Sequence, residues 1–160
     1  MRYGSSVHAI RAVIGKAATL EAVRAALPSA RIIDLPQGLA LLPAVPAVIT
    51  EAGAGEKVSG FYGLTSSMRH VLERASAHGP LVYVETEYFG PGGQAALLIS
   101  EGRTQSLEST LEDEECGDDP TPISTALRAI GVARGDAIDE FDAIGLGRHR
   151  STVRWHESGR

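Results

Sequence analysis

A chain of 160 residues with 43% apolar and 22% charged residues has the composition of one folded domain, large enough to bury roughly two-thirds of its unfolded surface without metal or disulfide staples. Its net charge of −5, with 13 Arg and two Lys, excludes the clustered basic surface of a general nucleic-acid binder. The single Cys116 excludes an intrachain disulfide, Met1–Ser5 has no apolar leader, and the apolar stretch 39–49 carries Pro43 and Pro46 and is too short to span a bilayer, so a cytoplasmic protein without a membrane partner is expected.

In chain order, the β-branched run Val7 to Val13 predicts a first strand ending near Gly15. Thr19 then offers a cap for a short helix with Leu20, Val23 and Leu27 on one face, stopped by Pro28. Arg31 to Leu35 and Leu39 to Leu42 read as two strands paired through the turn Pro36-Gln37-Gly38. Prolines and glycines punctuate 43–60 so densely that only one or two helical turns fit, at Val45 to Glu51. Thr65 opens a helix whose stripe is Leu64, Met68, Val71, Leu72 and Ala75, ended by Gly79-Pro80.

The centre of the chain predicts a hairpin over 81–100: Leu81 to Phe89 is dense in β-formers, Gly90-Pro91-Gly92-Gly93 supplies the turn, and Gln94 to Ile99 returns. Glu101-Gly102 is a second tight turn, after which Arg103 to Leu107 completes a three-stranded meander. The stretch 108–119 holds seven carboxylates and no base, which predicts an exposed, mobile acidic loop. Thr121-Pro122 starts a helix with Ile123, Leu127 and Ile130 on one face and Gly131 as its stop. Asp136 caps a last helix carrying Ile138, Phe141 and Ile144, ended by Gly145, and 146–160 reads as a basic C-terminal tail with a formal +3. The fold class is therefore α+β, a single domain over 1–160 with an antiparallel sheet of about five or six strands and about four helices.

Candidate sites are few. Glu85 and Glu87 are two apart on a strand, so they share a face with Tyr83 and Phe89, their Cβ atoms roughly 7 Å apart. A close carboxylate pair can serve acid–base chemistry. The simpler reading makes this the solvent face of a half-covered sheet, with Val82, Val84, Thr86 and Tyr88 turned to the helices. Carboxylates mixed with aromatics also compose protein-binding surfaces, so Tyr83, Glu85, Glu87 and Phe89 form one candidate partner surface, and Glu112, Asp113, Glu114, Glu115, Asp118 and Asp119 form another.

The segment Gly145-Leu146-Gly147-Arg148-His149-Arg150 presents Arg148, His149 and Arg150 as an alternative anion site. Against it stands the ordinary attraction of bases to a helix C-terminus, with Asp139, Glu140 and Asp142 as available partners. The five histidines show no metal-ligand spacing, Cys116 is surrounded by carboxylates that disfavour a thiolate, and no Gly-x-Ser-x-Gly or phosphate-loop pattern occurs, so neither catalytic residues, a metal nor a cofactor is expected.

The motifs Tyr83-Val84-Glu85-Thr86-Glu87-Tyr88-Phe89-Gly90, Gln94-Ala95-Ala96, Ala126 to Val132 and Asp139 to Arg150 resemble those of small, mostly uncharacterised bacterial cytosolic proteins, some of them similar to immunity partners of secreted toxins. The resemblance covers the second half of the chain. It implies a non-enzymatic, acidic protein that neutralises a cognate toxin by occupying a basic cleft. Immunity proteins share no common motif, so it assigns no binding residue. Two other readings remain open at this point: a small enzyme acting on an anionic substrate with Glu85/Glu87 and Arg148/His149, and a structural homodimer formed through a sheet edge.

Overall fold

The structure is a computed structural model that describes residues 9–58, 61, 63–87, 93–110, 122–137, 140–149 and 151–159. Six strands form one antiparallel sheet: β1 (Ala9–Lys16), β2 (Ile33–Asp34), β3 (Leu39–Pro43), β4 (Leu81–Glu87), β5 (Gly93–Ser100) and β6 (Arg103–Thr110), in the order β2-β3-β1-β4-β5-β6. Among the described residues six helices accompany them: α1 (Ala17–Ala26), α2 (Pro46–Ala52), α3 (Ser66–Ala75), α4 (Pro122–Ala129), α5 (Glu140–Ala143) and α6 (Thr152–Glu157). The α+β class and the antiparallel sheet agree with the sequence-based expectation.

Local chemistry explains the best-predicted elements. Thr65 caps α3 by accepting from the Met68 N–H at 3.2 Å. The β5–β6 turn places Glu101 and Gly102 both at positive φ, 54° and 78°, the geometry whose twist matches a two-residue hairpin. Gln37 and Gly38, at φ 65° and 75°, turn β2 into β3. The Gln37 amide then donates to the Ala133 carbonyl and accepts from the Ala133 N–H, both at 2.8 Å, fastening this turn to the segment after α4. Thr19 is not the α1 cap. Lys16 occupies that position, and the buried Thr19 hydroxyl donates to the His78 carbonyl at 3.3 Å, joining α1 to the turn after α3.

The sheet is covered on both faces, which corrects the half-covered reading. On one face Val13, Leu42, Leu81, Tyr83, Leu97 and Ile99 pack with Leu20 and Val23 of α1, Val48 of α2, and Met68 and Leu72 of α3. On the other, Ile10, Ile14, Leu41, Val82, Val84 and Ala96 pack with Ile123, Ala126 and Leu127 of α4, Ile144, Leu146, and Trp155 of α6. All five residues of β3 are buried, as a strand enclosed on both sides requires.

The segment 146–160 is likewise no tail. Its described residues form a short 3₁₀ turn at Leu146–Arg148 and then α6, capped by Ser151, and they place the fully buried Trp155 against the second face. Thr152 Oγ1 accepts from the Arg11 N–H at 2.9 Å, tying α6 to β1. Helix α5 is shorter than predicted, with Gly145 ending it at φ 76°. The Gly90-Pro91-Gly92 turn residues and the acidic residues 111–119 lie outside the described residues.

Candidate functional site

Cross-strand register brings Arg11 of β1 opposite Glu85 of β4, with Tyr83 two residues away on the same face. Above them, Lys57 and Thr65 form an antiparallel bridge and Val58 N–H donates to the Leu64 carbonyl at 2.8 Å, closing a loop that carries Phe61 and Gly63 down onto the sheet. The Phe61 and Tyr83 rings pack with centroids 5.7 Å apart. A Cβ at Gly63 would stand 2.8 Å from Arg11 Cδ and 3.0 Å from its Nη1, so the absence of a side chain there is what lets Arg11 lie against the loop.

Tyr83 is fully buried and Glu85 only 5% exposed, so they do not form the solvent-facing partner surface expected from the alternating pattern. Glu85 Oε2 accepts from the Tyr83 hydroxyl at 2.7 Å and from the Gly63 N–H at 2.9 Å. Burial, then the Glu85 charge and hydrogen bond, push the Tyr83 phenol well above its ordinary value, with Arg11 acting in the opposite sense. This arrangement anchors a loop to the sheet. Its physical sense is that a buried carboxylate is tolerated only when donors replace lost water.

Arg148 and His149 do come together, on the other face of the sheet. The Arg148 guanidinium lies 4.9 Å from the centroid of the Trp155 ring, and His149 meets the same ring edge-on, with centroids 4.7 Å apart and planes at 84°. Trp155 is completely buried, and its Nε1 has no hydrogen-bond acceptor among the described residues. Glu140, itself buried, is engaged elsewhere: it accepts from Arg128 Nε at 3.0 Å. For Glu140 burial raises the carboxyl pKa, but the Arg128 hydrogen bond and charge, its own backbone N–H and Ser124 outweigh that and hold it below the ordinary range. Nearby, Arg31 Nη1 donates to the His156 carbonyl at 3.2 Å, and His156 is held below its ordinary value by burial first and then by Arg31, opposed by Glu157.

The structure therefore separates the two groups that one enzyme site would need. Glu85 belongs to the face covered by α1, α2 and α3, whereas the indole supporting Arg148 and His149 belongs to the opposite face. A single pocket using both is ruled out by this geometry. Glu87 ends β4, opposite Ala9 on one side and Gly93 on the other. Phe89, Glu112, Asp113, Glu114, Glu115, Asp118, Asp119 and Arg150 lie outside the described residues. Among the described residues there is no cluster of three or more His, Cys, Asp or Glu able to hold a metal ion, and no helix is long and apolar enough to cross a membrane.

Sequence reasoning missed Trp155 as the organiser of the basic segment. The available signal was the capping pattern Ser151-Thr152-Val153-Arg154 ahead of the chain's only tryptophan. Comparison with protein-family models, with curated proteins and with solved structures found no match.

Proposed function

We propose that this chain is a non-enzymatic protein-binding protein, of the immunity type that neutralises a bacterial toxin by occupying a basic active cleft. The observation that carries the reading is the junction of an edge strand with an acidic run. Strand order places β6 at the end of the sheet, where among the described residues it pairs only with β5. The seven carboxylates of 108–119 begin within that strand and continue immediately beyond it in sequence. An edge strand supplies backbone donors and acceptors for a partner, and clustered like charge supplies steering toward a basic one.

The test is capture from the native host with the tagged full-length chain, followed by assay of the captured protein's toxic activity with and without added chain. The proposal requires a basic partner whose activity is abolished at equimolar ratio. No partner, or a partner whose activity is unaffected, contradicts it. A homodimer through β6 is the second reading, favoured by eight consecutive β5–β6 pairs without a bulge to disrupt the edge. Mass in solution separates the two.

A further inference from the structure

The segment Arg148-His149 is left unused by partner binding through β6, yet it has the geometry of a prepared oxyanion site. We propose that Arg148 and His149, held on the Trp155 indole, bind a phosphate group. Free arginine side chains sample many rotamers, and much of the cost of using one lies in ordering it. Here the guanidinium is already placed over a fully buried ring, 4.9 Å from its centroid. Among the described residues no carboxylate or carbonyl accepts from it: Glu140 is taken by Arg128, and the Arg148 guanidinium is in none of the ion pairs or side-chain hydrogen bonds.

A guanidinium fork can span two oxygens of a tetrahedral anion. His149 is fixed against the same ring at 4.7 Å and supplies an N–H for a third oxygen. The segment 146–160 is itself basic in sequence, with Arg148, Arg150, Arg154 and Arg160 against the single acid Glu157. The ligand chemistry is that of a phosphate oxyanion, as free phosphate or as a phosphoester.

Trp155 is the only tryptophan, so intrinsic fluorescence reports directly from beneath the site. The full-length protein is titrated with inorganic phosphate and, separately, with O-phosphoserine, against sodium chloride at matched ionic strength. The expected result is a saturable change in emission for phosphate, with a dissociation constant on the order of 1 mM, and none for chloride. Equal affinity for both probes assigns the site to free phosphate, and tighter binding of O-phosphoserine assigns it to an ester. Arg148→Gln should remove the saturable change and Arg148→Lys should weaken binding about tenfold, since an ammonium neither stacks nor forks. Arg134→Gln, an exposed charge in the segment between α4 and α5, should leave it intact, with far-UV circular dichroism verifying the fold of each variant. A response that fails to saturate, that chloride reproduces, or that survives in Arg148→Gln overturns the proposal.

Discussion

Removing the Glu85 carboxylate gives the sharpest stability prediction. In Glu85→Ala, two donors lose their acceptor: the hydroxyl of Tyr83, a residue with no exposure, and the Gly63 N–H. An unsatisfied buried group costs about 1–3 kcal/mol. The pair therefore predicts a loss of about 2–6 kcal/mol before any cavity cost. For a chain of this size that lowers Tm by roughly 4–24 °C, taking about 2–4 °C per kcal/mol. Tyr83→Phe removes one donor and leaves Glu85 its Gly63 bond, so it should cost less, about 1.5–3 kcal/mol as the loss of a bond to a charged group.

Because the two side chains share one hydrogen bond, the double variant should be less destabilised than the sum of the singles, with a coupling of about 1–3 kcal/mol. Urea unfolding at neutral pH measures all three variants, and amide exchange at Gly63 reports whether the loop has come off the sheet. Additive effects, or a loss below about 0.5 kcal/mol for Glu85→Ala, the range of an ordinary surface substitution, would show that Glu85 faces water and would refute the buried arrangement.

Three further outcomes follow from the same structure. Since Tyr83 has a raised folded-state pKa, its contribution is complete below the unfolded value of about 10 and is lost as pH climbs above it, so Tyr83→Phe should flatten the alkaline limb of the stability profile. Glu140 is shifted the other way: its contribution is present above an unfolded value of about 4.3 and disappears as pH falls toward the lower folded one, and Glu140→Gln should flatten the acid limb in urea melts run across that window. Trp155→Ala should cost about 3–5 kcal/mol, as for a large core aromatic. Val153→Ser, on the exposed side of the same helix, should stay within about 0.5 kcal/mol in the same melts.

What could be read from the chain without its fold was local. Turn chemistry announced the β2–β3 and β5–β6 connections, and Thr65 announced α3, because each depends on a few adjacent residues. The burial of Glu85 was hidden for a physical reason. The alternation Tyr83-Val84-Glu85-Thr86-Glu87 is the pattern of a strand with one wet face, and it takes α1, α2 and α3 together with the loop carrying Phe61 and Gly63, all distant in sequence, to bury that face. Helix α6 was missed because its six residues, Thr152 to Glu157, carry only Val153 and Trp155 as apolar positions, too few to produce a periodic stripe. The position of β1 between β3 and β4 is a long-range choice that no short window contains.

Neutralising Glu112, Asp113, Glu114 and Glu115 together to Gln and Asn, and measuring association with the captured partner by stopped flow across ionic strength, tests the proposed function most directly. Steering by this run predicts a native on-rate that falls steeply with salt. The variant's on-rate should be about tenfold lower at low salt, with dissociation changed far less. An on-rate at low salt equal to that of the native chain would contradict the account.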